Sequence, residues 1–329
     1  MPATTRKTLA VLVLIPVVVA LALWAFAWPA ARIAPRDLPI GVAGPATATA
    51  PLEQRLADRD GAFDVHRYES EAAAREAIQD RVVYGAVVVT PQGPELLTAS
   101  AASPVVAGLL REAVTAQVPA GTPLTVTDVV PAPAGDPRGS AFGAGLFPLV
   151  LAGAAAGIVV TVLGLRGARA AGTLLGAAAL AGLTGAALAH SWLGVLAGDW
   201  WAEAGVLGLT VLAIGSAIAG LAALIGRAGI GVGALLMILL GNPFSGVASA
   251  PELLPAPVGV LGQWLPPGAG GSALRSVAFF DGAGAGTALL VLGAWAAAGL
   301  AAVLVGGARS RAATGASTPA PAPEPAPVG

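Results

Sequence analysis

The stretch AFGAGLFPLVLAGAAAGIVVTVLGL, Ala141–Leu165, contains no Asp, Glu, Lys or Arg and is followed at once by Arg166 and Arg169. A helix rises 1.5 Å per residue, so about 20 apolar residues cross the roughly 30 Å of bilayer hydrocarbon. Ala141–Leu165 therefore reads as a membrane span. Working outward, five more charge-free stretches qualify or nearly qualify: Leu9–Ala31, Ala171–Leu196, Ala204–Ile225, Ile230–Val247 and Gly286–Gly306. Ile230–Val247 is the shortest and contains Asn242-Pro243, so it is expected to end early or to break before the interface. The small-xxx-small pairs Gly153/Gly157 and Gly172/Gly176 read as helix-packing positions.

Composition agrees with this reading. Of 329 residues, 56% are hydrophobic and 11% charged, against roughly 25% charged in an average soluble domain. Mean hydropathy is +0.80. Residues 32–140 hold nine Arg and thirteen Asp or Glu, which is 22 of the 35 charges. The fold class that follows is a membrane protein: a six-span α-helical bundle with one extracytoplasmic α/β domain inserted between spans 1 and 2. The divisions are 1–31, cytoplasmic N-terminus and anchor; 32–140, extracytoplasmic domain; 141–247, spans 2–5; 248–285, an outer-leaflet re-entrant or interfacial segment; 286–306, span 6; and 307–329, a disordered Pro/Ala-rich cytoplasmic tail.

Loop charge sets the orientation. Arg166 and Arg169, Arg227, and Arg309 with Arg311 follow spans 2, 4 and 6 with no acid beside them. Asp199 and Glu203 lie on the other side. Both termini are thus expected in the cytoplasm of a multi-pass cell-membrane protein. Trp24, Trp28, Trp192, Trp200 and Trp201 fall near the expected outer ends, as an interfacial belt would. Span 1 has a basic start and small residues around Ala25-Phe26-Ala27, features shared with a signal peptide. Its apolar run exceeds the ~7–15 residues of a signal core, which favours an uncleaved anchor.

Several chemistries are excluded. A net charge of −1 gives no general basic field for nucleic acid. The chain has no Cys and only His66 and His190, so zinc, iron–sulfur and thiol chemistry lack their ligands. Lys7 is the one Lys and no Gly-rich loop precedes it, so there is no phosphate cradle. No Ser/His/Asp arrangement is evident, and the chain reads as a non-enzyme without a cofactor. His66 reads as exposed and His190 as a lone interfacial residue. Asp58 and Asp60 read as a solvated turn.

Within 32–140, strands are expected at Leu38–Ala43, Phe63–Tyr68, Val82–Val89, Glu95–Ala99 and Leu124–Val130, and helices at Pro51–Asp58 and Glu71–Asp80. Ser70 caps the second helix, with Glu71 and Arg75 paired at i,i+4. Ser103 caps a further helix with Pro104 at its first position. Strands alternating with helices imply helices packed on a sheet, with a core of its own.

The segment between spans 5 and 6 is neither a polar loop nor a full span. Asn242-Pro243, Pro251-Glu252, Trp264-Leu265-Pro266-Pro267-Gly268 and Ala273-Leu274-Arg275 break it into short apolar pieces. Asn242, Pro243, Glu252, Pro266, Pro267, Gly268 and Arg275 are the candidate outer-leaflet gate or substrate path. Pro266-Pro267-Gly268 should end any helix over Val258–Trp264. Arg275 is expected near the headgroups, or paired with Glu252 or Asp281.

At these residues the chain resembles the ABC-2 permease superfamily, in its YhgE/Pip-like (phage infection protein) branch. The run from Ala77-Ile78-Gln79-Asp80-Arg81 to Val87-Val88-Val89 resembles that branch's outer domain. Trp264–Gly268 through Arg275 resembles its loop before the last span. The resemblance implies an export permease that dimerises and works with a separate ABC ATPase, in contact with membrane lipid. The other reading is a non-transporting membrane protein whose outer domain binds envelope components or a phage. Two features depart from the family pattern: eight residues precede span 1, and the loop Arg166–Ala170 is short.

The orientation is testable because native Cys is absent. With Ala48→Cys and Thr314→Cys made singly, an impermeant maleimide should label intact cells at position 48 only. Labelling at 314 instead would reverse the topology.

Overall fold

The computed structural model describes residues 3–59, 61–91, 93–117 and 124–316. The sheet domain lies between a first helix α1 (Ala3–Ala30) and the bundle. Its elements are β1 (Leu38–Ala43), α2 (Ala46–Ala57), β2 (Phe63–Tyr68), α3 (Glu71–Gln79), β3 (Gly85–Thr90), β4 (Gly93–Thr98), α4 (Pro104–Thr115) and β5 (Thr125–Asp128). The strand order is β2-β1-β3-β4-β5, with β4 antiparallel to β3 and the other pairs parallel.

Local chemistry explains the boundaries. Ser70 Oγ accepts from the Ala73 N–H and Ser103 Oγ from the Val106 N–H, both at 3.2 Å, so two helices start where capping expects them. Arg75 Nε donates to Glu71 at 2.7 Å, the expected i,i+4 pair. In β3 and β4, Val87 and Leu96 face one core while Val88 and Leu97 face the other. A continuous apolar run in a strand therefore fills both faces of a covered sheet. β3 begins at Gly85, not Val82, because residues 81 and 82 close the end of α3. Asp58 caps the C-terminus of α2, while Asp60 lies outside the described residues.

The domain does not complete its core by itself. Phe280 joins the cluster of Ala43, Ile78 and Leu97. Ala250 and Leu253 join that of Leu38, Val87 and Leu96. All three come from the segment between the last helices of the bundle.

The bundle comprises α5 (Ser140–Val162), α6 (Gly167–Ala186), α7 (Trp200–Ile225), α8 (Arg227–Ala234), the short α9 (Val258–Gln263), α10 (Pro266–Phe279) and α11 (Gly286–Ala316). α6 continues as a π-helical turn, Ala187–Trp192, and α8 as another, Leu235–Gly241. Among the described residues, five apolar helices are long enough to cross a membrane: Val11–Ala30, Ser140–Val162, Gly167–Trp192, Trp200–Ile225 and Gly286–Arg309. This is a multi-pass membrane protein with a small mixed α/β sheet domain. The fifth expected stretch, Ile230–Val247, forms a shorter apolar helix, Arg227–Gly241. At 1.5 Å per residue that is about 22 Å, short of the hydrocarbon thickness. It stops where Asn242-Pro243 begins a 3-10 turn, Pro243–Ser245. α11 runs through Arg309 and Arg311 to Ala316, where a disordered tail was expected, because no Pro interrupts the chain before Pro319. Residues 317–329 of that tail lie outside the described residues.

α7 is the centre of the bundle, with 67% of its span window buried against 28–33% in α5, α6 and α11. Its neighbours reach it through glycine. A Cβ on Gly157 of α5 would sit 2.4 Å from Gly215 O, and one on Gly182 of α6 would sit 2.3 Å from Ala204 O. Gly299 of α11 approaches Ser216 in the same way. Gly172 and Gly176, expected to pack, have open space instead. α1 meets the rest near its end, where Trp24 stacks on Trp28 at 5.7 Å and lies edge-on to Phe244 at 6.2 Å.

Gly157→Leu should therefore lower the thermal midpoint of the detergent-solubilised protein strongly, since overpacking against backbone costs about 1–3 kcal/mol or more. Gly172→Leu should leave it unchanged. Equal effects would contradict the packing.

Candidate functional site

The end of α3 sets the site. Arg81 N–H donates to Ile78 O at 3.1 Å and Val82 N–H to Ala77 O at 2.9 Å, the two bonds of a Schellman closure. That closure needs a left-handed residue, and Arg81 takes it at φ 60° where glycine is usual. Its guanidinium crosses to the bundle. Nη1 donates to Ser272 O at 3.0 Å and also to Ser276 Oγ, and Phe280 lies under the charge at 5.3 Å. Three residues later Tyr84 Oη donates to Glu252 Oε2 at 2.8 Å. Burial, reinforced by the Glu252 charge, holds the Tyr84 hydroxyl far above its ordinary pKa, so it stays a donor. Burial also lowers Arg81 from its ordinary value.

From the bundle side, Arg275 on α10 is 6% exposed. Its Nη2 donates to Val247 O at 2.8 Å and its charge lies 4.7 Å from the Phe142 ring centroid. It was expected at the headgroups or paired with Glu252 or Asp281. Among the described residues it forms no ion pair, because Glu252 is engaged by Tyr84 and the irregular carbonyl of Val247 takes the guanidinium instead. The buried Nε of Arg275 has no hydrogen-bond partner. Ser272 Oγ donates to Gln263 Oε1 at 2.6 Å, and Gln263 Nε2 donates to Ser245 O at 2.8 Å.

These groups border a chamber of about 290 Å³ at the seam between sheet and bundle. Of the expected site residues, Glu252 and Arg275 line it. The other five do not. Asn242 O accepts from Ser245 Oγ at 2.6 Å, and Pro243 opens the 3-10 turn. Pro266 and Pro267 open α10 after an extended Leu265, which places the break where the Pro pair was expected to force it. Gly268 lies against Gly262 O. Arg81, Tyr84, Gln263, Ser272 and Thr287 supply the other polar side chains of the chamber and were missed as site residues. The signal available for Arg81 was a bulky residue at a helix end that favours glycine.

An apolar cavity of about 580 Å³ adjoins this region and is bordered by Phe142, Leu146, Leu188, Val195 and Leu274. Phe142 walls the apolar cavity and carries Arg275, a lining residue of the chamber, on its ring, so the Arg275–Phe142 contact stands between the two spaces. Beside it, on the π turn, His190 is not alone. Its Nδ1 lies 2.8 Å from Oε2 of Glu203, which is fully buried at the start of α7 and accepts the Gly198 N–H at 2.8 Å through Oε1. His66 pairs with Asp64 at 3.0 Å on the sheet edge. Among the described residues no group of three or more His, Asp or Glu could hold a metal ion.

No family model, curated protein or solved structure matches this chain. The chamber is thus characterised by its own chemistry: two guanidiniums, one carboxylate held by a tyrosine, the neutral polar side chains of Gln263, Ser272 and Thr287, and an apolar neighbour.

Tyr84→Phe should destabilise the protein by about 1–3 kcal/mol in thermal unfolding, because it strands a part-buried carboxylate. In a Glu252→Ala background the same replacement should cost far less. Equal costs in both backgrounds would show the pair to be uncoupled.

Proposed function

We propose that the chain is an ABC-2-like permease subunit in the bacterial cell membrane, moving a hydrophobic or envelope-associated substrate outward with energy from a separate ATPase. In this reading Arg227–Gly241 and the turn after it serve as a short fifth span of six. Both termini are cytoplasmic, residues 32–140 are outside, and two copies form the working unit. One observation carries it: a polar chamber at the seam of domain and bundle lies next to an apolar cavity between α5 and α6. A path for an apolar or amphiphilic molecule needs both surfaces side by side. The resemblance of residues 77–89 and 264–275 adds the family.

One observation favours the second reading, a non-transporting membrane protein whose outer domain binds envelope components or acts as a phage-infection factor. At the end of the bundle away from the sheet, α5 and α6 are joined by residues 163–166, and α7 and α8 by Gly226 alone. Such short connections leave little surface for a motor.

Purification of the full-length chain from native membranes in mild detergent separates the two. A stoichiometric ATPase, identified by mass spectrometry and stimulated by the chain, supports the permease. A chain that reproducibly comes alone, from membranes in which a known ATPase–permease pair survives, sinks it.

A further inference from the structure

We propose that the seam chamber holds the anionic headgroup, phosphate or carboxylate, of an amphiphile between Arg81 and Arg275, with its hydrocarbon directed past Phe142 into the apolar cavity. The proposal names a substrate class for the permease reading and rests on that reading only for outward movement.

Charge comes first. The chamber's lining carries Arg81 and Arg275 against the single carboxylate of Glu252. The balance is one positive charge in a confined volume, which an anionic group neutralises. Hydrogen bonding is the second point. Arg275 is 6% exposed and its Nε is buried without a partner. A buried cationic donor left unpaired is costly, and an arginine fork pairs well with phosphate or carboxylate oxygens. The third point is backbone. Arg81 occupies a left-handed position at φ 60°, where a non-glycine residue costs about 1–2 kcal/mol. Strain of this kind accompanies functional sites. Finally, size and neighbourhood select an amphiphile over a small ion. The chamber is about 290 Å³, and the ring under Arg275 also walls an apolar cavity of about 580 Å³.

The test uses delipidated full-length protein equilibrated with an equimolar mixture of phosphatidylglycerol and phosphatidylcholine, with retained lipid counted by native mass spectrometry. Wild type should retain phosphatidylglycerol in preference. Arg81→Gly should reduce that retention about tenfold, the value of one hydrogen bond to a charged group. Glycine suits this backbone but loses the contacts to Ser272, Ser276 and Phe280, so the thermal midpoint is measured alongside and retention compared well below the lower midpoint. Glu252→Gln should raise retention about threefold by removing the competing charge, a gain that misfolding cannot produce. Equal retention of the two lipids by wild type would overturn the proposal, as would wild-type retention in both variants. Millimolar inorganic phosphate distinguishes the sources. Phosphatidylglycerol that survives it supports a lipid headgroup. Its complete displacement assigns the site to free phosphate and overturns the amphiphile. No ATPase is present in this assay, so its failure leaves the permease reading standing, and absence of an ATPase leaves lipid selectivity intact.

Discussion

A backbone carbonyl outside regular structure and away from water must find a donor, and the segment between residues 242 and 285 presents four of them in succession. Ser245 O is met by Gln263, Val247 O by Arg275, Leu253 O by Arg36 and Trp264 O by Trp295 Nε1. Gln263 and Arg275 come from the segment itself, while Arg36, with the Ala34 N–H, and Trp295 come from outside it. This satisfaction lets short helices and 3-10 turns pack without a continuous helix. It also brings the segment against the sheet, where Ala250, Leu253 and Phe280 fill the domain's cores. Seam, chamber and domain placement all depend on it.

The bundle obeys a different constraint. With apolar side chains on every face, helices gain little from hydrophobic burial against one another in lipid, and close packing must hold them. Glycines on α5, α6 and α11 supply it by letting backbones touch α7. Within this dense packing Thr210 and Ser216 of α7 satisfy themselves on helix carbonyls, while a buried carboxylate lies toward the end that carries the sheet. His190 and Glu203 meet there, next to the π turn of α6, and Trp192 and Trp201 are exposed at the same end. A π turn shifts the helix register, and such turns often accompany functional positions.

Glu252 and Arg275 show how far local reading reaches. Both stood out in the sequence because a charge is costly in an apolar segment, and both line the chamber. Their partners did not stand out, because Tyr84 and Glu252 are 168 residues apart and Arg81 and Ser276 are 195 apart. No periodicity or capping rule links positions at such separations. Arg81 lay inside the run that carried the family resemblance, and its place at a helix end that favours glycine was the local signal, but its partners on α10 were not legible.

Composition, charge-free length and turn chemistry by themselves determined that this is a multi-pass membrane protein. They also placed the strands of a sheet domain and the break before α10. Those features depend on hydrophobic transfer and on the backbone limits of proline, which act over a few residues. Tertiary structure alone decided that Gly157 packs while Gly172 does not, and that Arg275 binds a carbonyl and a ring instead of a carboxylate. Each of those outcomes turns on which surfaces meet in space, and the energy that selects them comes from contacts between segments that the sequence keeps far apart.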